Sequence, residues 1–245
     1  MNYKLPDMSY YQYGWNQSIT QIEKYVDFEE VRQRTRGIIL RSGQGNWQDK
    51  AYKVSCANAK AAGLTIGNYH YFDNRYHPKR QAEAWAKNIQ ENECTLRAWL
   101  DLEDNRAGQY RSYKDWADCL AYFEQLMPNV STGIYTRASY FNDHLLNIPV
   151  NHVFRNKPLW VAHYNPYVTK PDLPKGWVDW ELWQFTDDFS SEGWGAVSKE
   201  IDMNYFNGSE WDFCARYGLF GNPVKDIRST LEANFDGQKV IYNEQ

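Results

Sequence analysis

The stretch Leu96-Arg97-Ala98-Trp99-Leu100-Asp101-Leu102-Glu103-Asp104 runs apolar and then delivers three acids in four positions. In a strand, side chains alternate between faces, so Asp101 and Glu103 point the same way while Leu102 points the other. Two carboxylates side by side at a strand end repel each other, which raises the pKa of one, and burial raises it further. An acid that keeps its proton beside one that stays charged is suited to acid/base chemistry. The alternative is a strand cap whose acids are solvated or paired with Lys or Arg.

The surrounding elements decide where such a strand end would lie. Residues 9–15 are aromatic and read as an extended first strand. Residues 26–31 open a short helix with Asp27 as N-cap. Residues 37–43 form a Gly-bounded apolar run typical of a buried strand. Residues 50–62 are Ala-rich and helical, ended by Gly63, and residues 65–72 are the next strand. A helix over 78–91, with Pro78 in its first turn, leads to the acidic strand. A helix over 113–126, a strand over 132–136 and a short helix over 138–146 follow. The rhythm then changes: residues 159–164, 181–186 and 201–206 read as strands joined mainly by loops. Alternation of this kind predicts a parallel sheet, and no linker or repeat divides it. The expectation is one α/β barrel over residues 1–218. Residues 219–245 form an extension, with a helix over 224–234 and a short strand over 239–242, packed on the barrel or used for docking.

The working face of a parallel barrel lies at the C-terminal ends of its strands. Asp101 and Glu103 fall at such an end, and Asp202, early in the last strand, is a third acid. The same pocket would gather Tyr69, Tyr71, Tyr135, Trp160, His163, Trp183 and Gln184 as substrate-binding side chains. His70, between the two tyrosines, faces away and reads as structural. Asp104 lies opposite Glu103 and reads as a loop hydrogen-bonding or ion-pairing group. Trp99, Trp116 and Tyr122 read as packing. Acids ringed by Tyr and Trp describe a glycan-cleaving groove better than a nucleotide site, and no GxGxxG, P-loop or GxSxG motif is present.

Composition narrows the classes further. The 245 residues are 42% hydrophobic and 24% charged, as in ordinary globular proteins, but 17% are aromatic, with 11 Trp and 19 Tyr. The net charge of -4 and the lack of a basic run argue against nucleic acid. No apolar run approaches a membrane span, and the N-terminal residues do not form the apolar core of a signal peptide. Cys56, Cys94, Cys119 and Cys214 lack CxxC or Cys/His spacing and read as reduced, mostly buried thiols. The five histidines show no metal-ligand spacing, so neither metal nor cofactor is expected.

Taken in order, a set of short motifs resembles the glycoside hydrolase family 25 lysozymes. They are Val26-Asp27-Phe28, Arg41-Ser42-Gly43-Gln44-Gly45-Asn46 with Asp49-Lys50, residues 58–72, Trp99-Leu100-Asp101-Leu102-Glu103 and Gly133-Ile134-Tyr135-Thr136. Residues 159–164, Trp183-Gln184-Phe185-Thr186 and residues 201–208 complete the series. The resemblance spans about residues 9–210 and implies a TIM-like barrel of the (β/α)5β3 type. It implies an N-acetylmuramidase that cleaves the β-1,4 bond between N-acetylmuramic acid and N-acetylglucosamine in bacterial peptidoglycan. Glu103 would be the general acid. Asp101 would support developing charge directly or by orienting the substrate's N-acetyl group, a recognised departure from the two-carboxylate scheme. Asp202 would be a further acid of the site, and Tyr69, Tyr135 and Trp183 would shape the sugar subsites.

One departure is expected to matter. The family usually has Gly-Ile-Asp-Val-Ser at the end of the first strand, and the corresponding run is read as Gly14-Trp15-Asn16-Gln17-Ser18. Asn16 then stands among the catalytic positions where an acid is expected, keeping hydrogen-bonding capacity without charge. The reading that follows is an active muramidase. A weakly active or inactive glycan-binding or virion structural module is the alternative, and a hydrolase for another glycan such as chitin is a third. The resemblance, with no signal peptide, also suggests a phage or prophage endolysin, monomeric, made in the host cytoplasm and released by a holin or carried on the virion.

Overall fold

The computed structural model describes residues 2–16, 21–92, 95–103, 112–144 and 148–220. Asp104, Cys94, Gln17 and Ser18, and the helix and strand expected over 224–234 and 239–242, lie outside the described residues.

The first barrel strand is β1 (Tyr3–Met8), upstream of the aromatic run expected in that place. Pro6 lacks an N–H and argues against a strand, whereas aromatic residues 10–15 have high strand propensity. Pairing decides otherwise: β1 runs antiparallel to the last strand and parallel to the next barrel strand. Ser9 then caps a 3-10 turn, Tyr10–Gln12, in a capping box with Gln12. The chain makes a separate two-stranded hairpin, β2 (Gly14–Asn16) with β3 (Gln21–Lys24), before α1 (Phe28–Arg32). Asp27 caps α1 by accepting from the amides of Glu29 and Glu30.

The expected alternation follows. The elements are β4 (Gly37–Gln44), the short β5 (Trp47–Gln48), α2 (Tyr52–Ala61), β6 (Thr65–Tyr71), α3 (Pro78–Glu91), β7 (Ala98–Leu102), α4 (Tyr113–Leu126), β8 (Thr132–Thr136) and α5 (Ala138–His144). Then come β9 (Leu159–Ala162), β10 (Leu182–Ser190), β11 (Glu200–Phe206) and α6 (Glu210–Tyr217). Strand order is β1-β11-β10-β9-β8-β7-β6-β4, closed by the β1–β4 pairing, so eight strands form a barrel. The order is compatible with five β/α units followed by three strands.

Alternation along each strand sorts the core. Outward-facing Leu100, Leu102, Ile134 and Val161 pack with Trp85, Trp116 and Phe123 of α3 and α4. A second cluster packs Ile38, Leu40 and Ile66 with Val31 of α1 and Tyr52 of α2. The interior is filled by Leu5, Ile39, Trp99, Tyr135, Trp160, Leu182 and Phe206. Trp99 fits because Gly133 lies beside it on β8: a Cβ there would stand 2.3 Å from the Trp99 ring. Trp160 sits edge-on to Trp99, Tyr135 and Tyr69, forming a floor of rings. Above that floor the cavity is walled mainly by carboxyl, carboxamide and tyrosine side chains.

Candidate active site

A cavity of about 340 Å³ opens above the aromatic floor. Strand parity supplies its walls. Tyr69 comes from β6, Asp101 from β7 with Glu103 just beyond it, and Tyr135 from β8. Trp160 comes from β9, Gln184 from β10 and Asp202 from β11; Asp7 from β1, Tyr164 and Asp187 complete the lining. Asp101 and Glu103 thus do share a face, and the buried Asp101 lies deeper than the half-buried Glu103.

Asp7 stands opposite Asp202 in the antiparallel register of β1 and β11. Its Oδ2 accepts from Gln184 Nε2 at 3.0 Å and Asn204 Nδ2 at 2.9 Å. Burial, only partly offset by these amides, raises the Asp7 pKa above the carboxylate range. Asp202 is raised further, first by burial and then by the charges of Asp7, Asp187 and Glu103. Two neighbouring buried carboxyls cannot both ionise cheaply, so the pair holds one proton near neutral pH. The two amide N–H groups donated to Asp7 favour the charge there, which leaves the shared proton to Asp202.

The polar network reaches Glu103. Gln184 Oε1 accepts from the hydroxyls of Tyr135 at 2.7 Å and Tyr164 at 2.5 Å. The Tyr135 oxygen is also 3.4 Å from Glu103 Oε2. One hydroxyl carries one proton, and the shorter contact claims it; a lone pair on Tyr135 then faces Glu103 and can accept from its protonated form. Asn204 anchors the deep side: its Oδ1 accepts from Trp160 Nε1 at 2.7 Å, and its Nδ2 also donates to the Leu5 carbonyl. Burial and surrounding carboxylates hold the Tyr69 and Tyr135 hydroxyls far above their ordinary pKa, so both remain neutral donors.

Four expected site residues lie elsewhere. Asn16 is in the β2–β3 hairpin outside the cavity, where its Nδ2 donates to Glu23 at 2.7 Å. The acid, apolar residue and serine at the end of the first strand are Asp7-Met8-Ser9. Trp183 alternates with Gln184, so it joins the outer core and donates from Nε1 to the His163 carbonyl at 2.8 Å. His163 follows β9, and its Nδ1 accepts from the Asp172 amide at 2.8 Å. Tyr71 is buried at the end of β6 without lining the cavity. His70 faces away as expected, stacked on Trp85 with Nε2 3.1 Å from the Gly45 carbonyl.

Asp7, Tyr164 and Asp187 were not among the expected residues. The signal for Asp7 was the Asp-x-Ser order itself, which Pro6 and the stronger aromatic run downstream obscure. Among the described residues no group of three or more His, Cys, Asp or Glu has the arrangement of a metal site, and no helix is long and apolar enough to cross a membrane. Cys56, Cys119 and Cys214 are buried.

The family pattern of "Glycosyl hydrolases family 25" matches residues 15–194. The chain belongs to glycosyl hydrolase family 25. The match begins after β1, so the placement of Asp7 rests on the barrel itself. Lysozyme M1 of Streptomyces globisporus is 29% identical over 174 residues, covering 67% of this chain and 57% of that protein. The autolytic lysozyme of Clostridium acetobutylicum is 25% identical over 191 residues, covering 74% of this chain and 52% of its own length. The chain therefore spans about half the length of the curated relatives it matches. The bacterial lysozyme from Streptomyces coelicolor shares the fold, with a TM-score of 0.66 and 24% identity over 85% of this chain and 94% of that one. The CTP1L endolysin does so with a TM-score of 0.63 and 22% identity, covering 86% of this chain and 68% of its own.

Proposed function

We propose that the protein is an N-acetylmuramidase that hydrolyses the β-1,4 bond between N-acetylmuramic acid and N-acetylglucosamine in bacterial peptidoglycan. The observation that carries this reading is the pairing of Asp101 and Glu103 on one face of β7, inside a cavity where Asp7 and Asp202 supply two more carboxyls. Glu103, nearer the opening, gives its proton to the glycosidic oxygen as the C1–O bond breaks. Asp101 supports the positive charge that develops at C1, directly or by orienting the N-acetyl oxygen that closes on C1. Glu103, now a carboxylate, takes a proton from the water that completes hydrolysis. The Asp7–Asp202 pair adds one further negative charge and, through Gln184 and Tyr135, fixes the groups around Glu103. Tyr69, Tyr135, Tyr164 and Trp160 shape the sugar site.

The alternative of an inactive glycan-binding module rested on a missing first-strand acid. With Asp7 in the cavity, that motive is gone. Service as a phage or prophage endolysin, reaching the wall through a holin or on the virion, belongs to the same proposal and is supported by the fold shared with the CTP1L endolysin.

The test is release of new reducing ends from purified peptidoglycan. Glu103→Gln should reduce turnover by about 10²- to 10⁴-fold, while Asn16→Asp should leave it unchanged. Equal turnover by Glu103→Gln and the parent protein would remove Glu103 from the acid role. Cleavage of N-acetylglucosamine oligomers lacking muramic acid would move the assignment to another glycan.

A further inference from the structure

Asp187 lines the catalytic cavity although simple strand alternation would turn it outward. From Gln184, which faces in, alternation would bring Thr186 and Asp188 inward. The pairing of β10 with β11 runs Gln184↔Asn204, Thr186↔Met203 and Phe189↔Ile201, so β10 carries extra residues on both sides of Thr186. Bulges of this kind re-aim side chains beside active sites. Here Asp188 is tied down locally, accepting from the Thr186 hydroxyl while its amide donates back to Thr186 Oγ1 at 3.2 Å. Asp187 is exposed, lines the cavity and makes no hydrogen bond or ion pair among the described residues.

Its setting favours one ligand chemistry. The described lining holds five carboxyl groups, Asp7, Asp101, Glu103, Asp187 and Asp202, and no Lys, Arg or His. Glu103 is assigned the reactive proton, and Asp7 and Asp202 share another. Asp187 is thus an accept-only charge at the mouth, open to a substrate donor and unopposed by any cation of the described lining. We propose that Asp187 is a specificity-determining residue that receives an ammonium group on the glycan, namely the free 2-amino group of a hexosamine lacking its N-acetyl. Such a group is protonated near neutral pH and brings both the donors and the charge that this carboxylate can use. Anionic substituents at the same position are repelled.

This inference rests on the muramidase reading, and the experiment separates the two. Two peptidoglycans are compared: one fully N-acetylated, the other with its N-acetylglucosamine units enzymatically de-N-acetylated and its N-acetylmuramic acid intact. Leaving muramic acid acetylated preserves any participation of its N-acetyl group. The readout is the ratio of kcat/KM on the de-N-acetylated wall to that on the acetylated wall. Asp187→Asn should lower this ratio about two- to five-fold, the range an exposed ion pair supports. Asp187→Lys should lower it further, and Asp187→Glu should restore it. A ratio unchanged across all three variants overturns the proposal, as does an equal fall in Asp187→Glu and Asp187→Asn. Failure of the parent protein to release reducing ends from either wall overturns the muramidase reading and this inference with it.

Discussion

Asp7 and Asp202 are held against each other by strand pairing, and the consequence is measurable as stability. Their folded-state pKa values are both raised. A carboxyl with a raised pKa favours folding most when protonated in both states, and that advantage is lost as pH rises from the unfolded value, about 3.9, through the folded one. At neutral and alkaline pH the pair therefore works against the fold. Asp202→Asn keeps a hydrogen-bond donor toward Asp7 and removes a carboxyl whose ionisation favours the unfolded chain. It should melt higher than the parent at pH 8, by about 2–4 °C for each kcal/mol relieved, with the gain shrinking toward pH 4. Melting curves at the two pH values decide it: a variant less stable at pH 8 would show that the pair is not strained. At this scale the sequence reveals Asp101 and Glu103 because they are two residues apart on one strand. Asp7 and Asp202 come from opposite ends of the chain, so only barrel closure brings them together.

At the level of elements, strand parity explains both what was legible and what was not. Regular alternation along β6 correctly separates Tyr69, facing the cavity, from His70, facing α3. Alternation also turns Trp183 away once Gln184 faces in, and the bulges of β10 then reverse the expectation for Asp187. A bulge leaves little trace in a pattern of residue types. His70 supplies the test of this layer. Burial between the sheet and Trp85 lowers its pKa to about 3. Above its unfolded value of about 6.5 the imidazole is neutral in both states; below it, only the unfolded chain takes up the proton, so stability falls until the folded pKa is reached. His70→Phe keeps a ring against Trp85 and removes the proton site. The stability lost between pH 7 and pH 4, from urea unfolding at each, should be smaller in the variant by about 3 kcal/mol, at 1.36 kcal/mol per pH unit. An unchanged difference would exclude His70 as a source of acid sensitivity, whatever the variant's absolute stability.

Across the whole molecule, helix–strand alternation and the late change of rhythm give the barrel, whereas closure depends on contacts that local pattern does not encode. One of these lies at the end opposite the cavity. The buried Glu181 carboxylate accepts from Arg97 Nε and Nη2, both at 3.0 Å, from Arg216 Nη1 at 2.9 Å and from the Tyr217 hydroxyl at 2.5 Å. It therefore joins the entry to β7, which carries Asp101 and leads into Glu103, with the entry to β10 and with α6, the last described helix. The guanidinium groups hold the Glu181 pKa below its ordinary value despite burial. A lowered carboxyl pKa contributes stability above the unfolded value, lost as pH falls through the folded one. Removing one partner of a buried pair leaves the other charge uncompensated, so Glu181→Leu should destabilise by about 3–5 kcal/mol. Adding Arg97→Met should recover much of that loss, because an apolar pair of similar volume no longer has a charge to desolvate. Activity per folded molecule, assayed well below the melting transition, should stay near the parent's in both proteins, since the network is at the far end of the strands from the cavity. Urea unfolding and reducing-end release on the single and double variants provide the comparison. A double variant no more stable than Glu181→Leu would mean that the network stabilises through its geometry and its ties to Arg216 and Tyr217, rather than through mutual compensation of Glu181 and Arg97.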